Sequence, residues 1–313
     1  MLRHWNSVKP MLTKPFLLLV VTWSIVAAPM AFADAWRNCG SDDVDLSIRS
    51  CSKVIKDGSQ TKQRLAKAYY NRGTSYEDKN ELDLAIADLS KAIELDPKYQ
   101  DAYLNRGSCY DAKGDYAKAL ADDDKAIELE PGFINAFDNR AQLYDSLGQY
   151  SRAIADYTKV IELNPKYGDL SRYYIRGLSR YYDGDFKGAA ADFVESLRTE
   201  VNPNAMLHLY LARSRVSEPA DSELEEHMRE LDSKEWPFPV MELYLAKRSP
   251  ESALKLATGD YDKCSATYYV GEWHLMKGDK PSAEARLRDA IASCPKDANP
   301  REGATAELKR ISH

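Results

Sequence analysis

Residues 68–97 read AYYNRGTSYEDKNELDLAIADLSKAIELDP. Residues 102–131 read AYLNRGSCYDAKGDYAKALADDDKAIELEP, and residues 136–165 read AFDNRAQLYDSLGQYSRAIADYTKVIELNP. The blocks superpose without gaps, and Pro97, Pro131 and Pro165 stand 34 residues apart. Within each block apolar residues recur at three- and four-residue intervals, the period of an amphipathic helix. A polar turn (KNEL, KGDY, LGQY) divides every block in two, and the closing proline ends the second half. Each block is one helix pair whose apolar face stays exposed unless a neighbour covers it, so the blocks must stack.

Let position 8 be the small residue of each first helix: Gly73, Gly107, Ala141 and, in a fourth copy, Gly177. Position 4 is then Tyr69, Tyr103, Phe137 and Tyr173, and position 20 is Ala85, Ala119, Ala153 and Ala189. Gly114, Gly148 and Gly184 stand in the turns, where a left-handed cap is expected. Together these residues resemble the tetratricopeptide repeat (TPR). The resemblance implies an all-α fold, a superhelical solenoid of antiparallel helix pairs, and a role in binding other proteins.

Four repeats are expected over 66–203, the last after a two-residue slip. Two positions depart from the pattern: Arg180 replaces a tyrosine at position 11, and Asp123 stands at the packed position 24. Residues 204–263 keep helical periodicity but lose the consensus. NAMLHLYLARSRV predicts a helix, DSELEEHMREL a longer partner, and SPESALKLA a helix capped by Ser249. The register returns at Cys264, with Gly271, Gly278, Ala283, Ala290 and Pro295 in phase. Residues 264–313 therefore read as a TPR-like unit, with EGATAELKRI as a helix capping the open end of the stack. At the other end SKVI at 52–55 matches SKAI at 90–93, so 34–65 reads as an N-terminal capping region.

The chain opens differently. Arg3, Lys9 and Lys14 precede an uncharged run from Phe16 to Ala33 that ends in Ala31-Phe32-Ala33. This is the pattern of a signal peptide over residues 1–33, placing the rest in the periplasm or outside the cell. An uncleaved inner-membrane anchor is the alternative, since the run is just long enough to span. Pro29 and the small residues near its end favour cleavage, with no membrane insertion afterwards. Five cysteines fit an oxidising compartment. Cys264 and Cys294 occupy positions 1 and 31, which lie at one end of a helical hairpin, and Cys39 and Cys51 flank the N-terminal cap. These are the two expected disulfides, leaving Cys109 as a buried apolar residue. No Cys-x-x-Cys or nearby histidine spacing suggests a metal site, and no cofactor is expected.

The formal charge is −6, and removal of the first 33 residues makes it −9. It is spread through the repeats without a basic stripe, which argues against nucleic acid as a partner. His208, His227 and His274 stand alone, and no nucleophile or phosphate-loop motif is present, so no enzyme activity is expected. One pair recurs in all four repeats. Arg72, Arg106, Arg140 and Arg176 at position 7 are each followed 16 residues later by Asp88, Asp122, Asp156 and Asp192. These predict bidentate ion pairs between packed helices.

The family resemblance implies a concave groove lined by first-helix positions 2, 5, 9 and 12. Tyr70, Asp101, Asp111, Asp138, Asp145, Tyr174 and Tyr181 fall there. Asn71, Asn105 and Asn139, at position 6, are expected to bond either a bound peptide or a neighbouring helix. Such a groove is acidic in its middle and aromatic towards the fourth repeat, and implies a partner protein with a basic or extended segment. Position 5 lacks the lysines that clamp a terminal carboxylate in the chaperone-tail branch of the family. The chain most resembles exported envelope TPR proteins of Gram-negative bacteria, which implies a non-catalytic scaffold or adaptor. One relative by architecture is a lipoprotein adaptor for peptidoglycan hydrolases, but no lipid-attachment cysteine follows the leader here. A periplasmic holdase-like chaperone or secretion-assembly factor is the alternative, followed by a regulator or enzyme with a site in 204–263.

Overall fold

A computed structural model describes residues 33–164, 171–198, 201–231, 234–296 and 298–312, so the leader and most of its cleavage site lie outside the described residues. Every regular element among them is a helix, and none is long and apolar enough to cross a membrane. The chain divides into two compact units, one ending at Gly114 and the other starting at Asp115.

The first unit contains a helical lead-in over 33–38, then α1 (Val44–Asp57), α2 (Lys62–Asp78), α3 (Leu82–Leu95) and α4 (Gln100–Ala112). Asp43 caps α1 by accepting from the Leu46 amide at 2.9 Å. Successive helices pack on one another. Gly73 explains why α2 and α3 lie so close, since a Cβ there would meet Leu89 at 2.9 Å. In the turn between them Asn80 takes the left-handed conformation (φ 58°) that glycine takes in the later repeats. Cys39 and Cys51 are joined in a disulfide with Cα atoms 4.6 Å apart. Cys109 is fully buried, and burial pushes its thiol up to about 12.

The second unit continues with α5 (Tyr116–Leu129), α6 (Ile134–Ser146), α7 (Tyr150–Leu163), α8 (Ser171–Asp183) and α9 (Phe186–Ser196). The divergent stretch forms α10 (Pro203–Arg215), α11 (Asp221–Arg229), α12 (Phe238–Tyr244) and α13 (Pro250–Leu256). Ser249 caps α13 by accepting from the Ser252 amide. The expected longer helix is instead the nine-residue α11, against thirteen in α10. Last come α14 (Asp260–Met276), α15 (Lys280–Ser293) and α16 (Asn299–Ile311). Residues 205–212 of α10 are buried on every side, which is why this helix has lost an amphipathic pattern. Cys264 and Cys294 are joined at the α14–α15 end, with Cα atoms 5.1 Å apart.

The arginine pairs hold the hairpins. Arg72 donates two hydrogen bonds to Asp88 (2.6 and 2.8 Å), Arg140 two to Asp156 (2.8 and 2.7 Å) and Arg176 two to Asp192 (2.9 and 2.6 Å). The remaining nitrogen of each fork reaches the preceding hairpin, at Ser52, Asp124 and Thr158 respectively. Arg106 reaches Ser90 in the same way. The guanidinium planes also lie against the aromatics at positions 4 and 11, as Arg140 does against Phe137 and Tyr144 at 5.6 and 5.9 Å. In the fourth repeat Arg180 replaces the second aromatic and adds its own bond to Asp192, at 2.9 Å.

Candidate functional site

The C-terminal helix does not cap the end of the stack alone. α16 packs on α15 and α14 and also returns to α8. Arg310 donates to the carbonyls of Tyr181 and Tyr182 (3.1 and 2.9 Å), capping the C-terminus of α8 with a cation. The Tyr182 hydroxyl donates to the Asn299 carbonyl at 3.1 Å. Underneath, Arg215 lies between two enclosed carboxylates, Glu272 at 2.7 Å and Glu307 at 3.0 Å. The Tyr181 hydroxyl donates to Glu272 at 3.0 Å, and Arg310 pairs with Glu307. Gly303 seats α16, since a Cβ there would meet the Tyr268 ring at 2.8 Å.

This arrangement leaves a cleft of about 1030 Å³ between α6, α8 and α16. Tyr150, Tyr157, Tyr182, Ile175 and Leu178 contribute its aromatic and apolar lining. Asp138, Asp145, Arg172, Lys296, Arg301, Glu302 and Lys309 supply its charges. Arg301 donates to the Cys294 carbonyl at 3.2 Å, tying the start of α16 to the end of α15.

The expected groove residues divide accordingly. Tyr181 is fully buried, so it anchors the chain's own core and is not available to a partner. Tyr174 is half-buried against Phe193 and His208. Asp138 is buried and paired with Arg172, with Gln142 donating to it at 3.1 Å. Asp145 accepts from Ser179 at 2.9 Å, and burial, with Glu302 nearby, pushes its carboxyl up to about 7. The acidic steering expected of Asp138 and Asp145 is therefore largely cancelled by the chain itself. Asn139 is half-buried on α6.

In the first unit Asn71 donates to the Cys39 carbonyl at 2.9 Å, a bond to the neighbouring segment. Asn105 donates to the Tyr70 hydroxyl at 3.4 Å, and Tyr70 lies against Tyr99 with ring centres 4.8 Å apart. Asp101 is half-exposed and Asp111 exposed.

His208 is buried among Tyr174, Tyr181, Phe193 and Tyr269. Its Nδ1 bonds the Asn204 carbonyl at 2.8 Å, and burial pushes the imidazole down to about 4. It therefore stays neutral near pH 7. Among the described residues no cluster of His, Cys, Asp and Glu could hold a metal ion.

The buried carboxyls predict a pH dependence. Burial, and then the neighbouring Glu307, raises Glu272 as burial raises Asp145. In the unfolded chain such groups titrate near pH 4. Between pH ~4 and ~7 the folded state thus holds protons that the unfolded state has lost, and stability falls as pH rises through that window. Melting temperature should be higher at pH 5.5 than at pH 8, and Asp145→Asn should narrow the gap by raising the value at pH 8. A gap of the same size in the variant would remove Asp145 from this account.

Family models of the tetratricopeptide repeat match residues 66–99 and 139–167, and a second model of the repeat matches 89–121. The chain is a tetratricopeptide-repeat protein. Two solved structures share the fold of this TPR protein at TM-scores above 0.5. YrrB, described as a TPR protein with an unusual peptide-binding site, aligns over 63% of this chain and 97% of its own, with 21% identity and a TM-score of 0.53. The C-terminal part of a TPR repeat-containing protein from Cytophaga hutchinsonii covers 89% of this chain and 98% of its own, with 16% identity and a TM-score of 0.51. The crystal structure of MamA covers 50% of this chain and 87% of its own, with 28% identity and a TM-score of 0.45. In this TPR protein the first-helix faces of the third and fourth repeats line a cleft that its own C-terminal helix closes on one side.

Proposed function

We propose that this protein is a non-catalytic interaction scaffold of the bacterial cell envelope, and that it holds a segment of a partner protein in the cleft between α6, α8 and α16. The observation that carries this reading is the cleft itself. It is concave, floored by tyrosines and edged by charges, and its volume is at the upper end of the range for ligand sites. Tyrosine offers a large contact area with few rotatable bonds, which suits it to binding surfaces. A peptide-binding site is also what the description of YrrB names for that protein. The two disulfides support an oxidising compartment, as the N-terminal sequence does. On the first unit, Tyr70, Asp101, Asn105 and Asp111, on α2 and α4, are a second candidate surface.

Affinity capture from a periplasmic extract tests the proposal. The parent chain should retain one protein in defined stoichiometry. Gln142→Trp, which places an indole at an exposed position of the cleft wall, should lose it. Equal retention by both proteins would remove the cleft from the interaction. A mixed pool of clients, held equally by both, would point to a holdase. Five free thiols in protein recovered from the periplasm would overturn the two disulfides.

A further inference from the structure

The chain carries a formal charge of −6, yet the cleft wall has four basic residues against three acidic ones. Moreover, two of the three acids offer little free negative charge. Asp138 is buried and paired with Arg172. Asp145 accepts from Ser179, and its carboxyl titrates near 7, so much of it is neutral at that pH. Lys296 and Lys309 differ, because both are exposed where they line the cleft. One lies just before α16 and the other near its end. A segment entering the cleft thus meets the two exposed lysines, with Glu302, Asp145 and the tyrosines beside them.

We infer that the cleft accepts an acidic segment of a partner protein, with carboxylates towards Lys296 and Lys309 and one aromatic or apolar side chain on the tyrosine floor. This rests on the reading of the cleft as the partner site, and it reverses the basic partner that the sequence alone suggests. Both lysines come from the C-terminal unit and not from the four consensus repeats, so the groove positions of those repeats carry no trace of them. A basic segment would meet the same two lysines and find Asp138 already matched. Complementary charge acts most on encounter and specificity, whereas the enclosed aromatic contact governs dissociation. A single nucleic-acid strand shares the anionic character and could stack on tyrosine, but the net negative charge of the protein opposes a long polyanion.

Fluorescence anisotropy on the full chain tests this with end-blocked, labelled peptides EEYEE, KKYKK and EESEE. EEYEE should bind at least about tenfold more tightly than either of the others, a difference of about 1.4 kcal/mol. Joint substitution Lys296→Glu and Lys309→Glu should weaken EEYEE by about tenfold or more with the melting temperature unchanged, since both side chains are exposed. Gln142→Trp should abolish the binding. Binding of KKYKK equal to that of EEYEE, or indifference of the double variant, would overturn the inference. Displacement of EEYEE by a thymidine decamer as effective as that by unlabelled EEYEE would overturn it in favour of nucleic acid. If Gln142→Trp loses a captured partner while EEYEE fails to bind at millimolar concentration, the acidic class is wrong and the cleft stands. EEYEE binding that survives Gln142→Trp places the peptide elsewhere and overturns the inference.

Discussion

Arg215→Met should cost about 3–5 kcal/mol of stability and free the C-terminal helix, the range found when a buried ion pair loses one partner. Arg215 is held between Glu272 and Glu307, whose side chains are 0% and 1% exposed. Glu307 would keep Arg310, but Glu272 would keep only the Tyr181 hydroxyl. A carboxylate so enclosed must take up a proton or draw water into the core, and either route weakens the seat of α16. Methionine preserves much of the volume, so the loss reads the charge and not a cavity. Urea midpoints at pH 8 measure the cost, and protease cleavage before α16 reports release of the helix. The deficit should shrink at pH 5.5, where Glu272 binds a proton more readily. A triple variant, Arg215→Met with Glu272→Gln and Glu307→Gln, should recover part of the loss. An unchanged midpoint for the single variant would mean that α16 is held by packing alone.

What the sequence made legible was what repeats. The 16-residue Arg–Asp spacing predicted ion pairs that the hairpins make with near-ideal fork geometry. The small residue at position 8 meets the large one at position 24, as Gly177 and Phe193 show with a 2.7 Å approach to a built Cβ. Ser249 and Pro250 open a helix for local reasons and do so here. What was not legible was the one contact made once. Tyr181 and Arg310 are 129 residues apart, and no periodicity links them. Position 12 is a groove position only while nothing packs over it, so the repeat pattern alone places Tyr181 in the groove. Two signals pointed the other way. Glu272, though at groove position 9 of the last unit, stands inside an otherwise apolar stretch, YYVGEWHL. Gly303 sits inside a helix, where glycine costs about 1 kcal/mol against alanine unless close packing requires it. Both residues face the α16 seat, but the sequence gives no partner for either.

Arg140→Leu should lower stability by about 3 kcal/mol, while Lys118→Leu should change it by less than about 0.5 kcal/mol. Both substitutions remove one positive charge, so net charge cannot explain the difference. Lys118 pairs with Asp115 near the surface, the side chains being 60% and 38% exposed, and such pairs contribute little. Arg140 is 18% exposed and its partner Asp156 only 8%. It donates twice to Asp156 and once to Asp124, so one side chain joins α6 to α7 and to α5. Leucine would leave Asp156 enclosed without a cation and would also vacate the contacts with Phe137 and Tyr144. Urea midpoints decide the matter, and the double variant Arg140→Leu with Asp156→Leu separates the causes. If the stranded carboxylate dominates, the double variant should be more stable than Arg140→Leu alone. If the lost aromatic and inter-hairpin contacts dominate, it should be no better. Equal midpoints for Arg140→Leu and Lys118→Leu would reduce the recurring pairs to surface ornament, and the packing within each hairpin would then rest on apolar contacts such as Gly73 with Leu89 and Gly177 with Phe193.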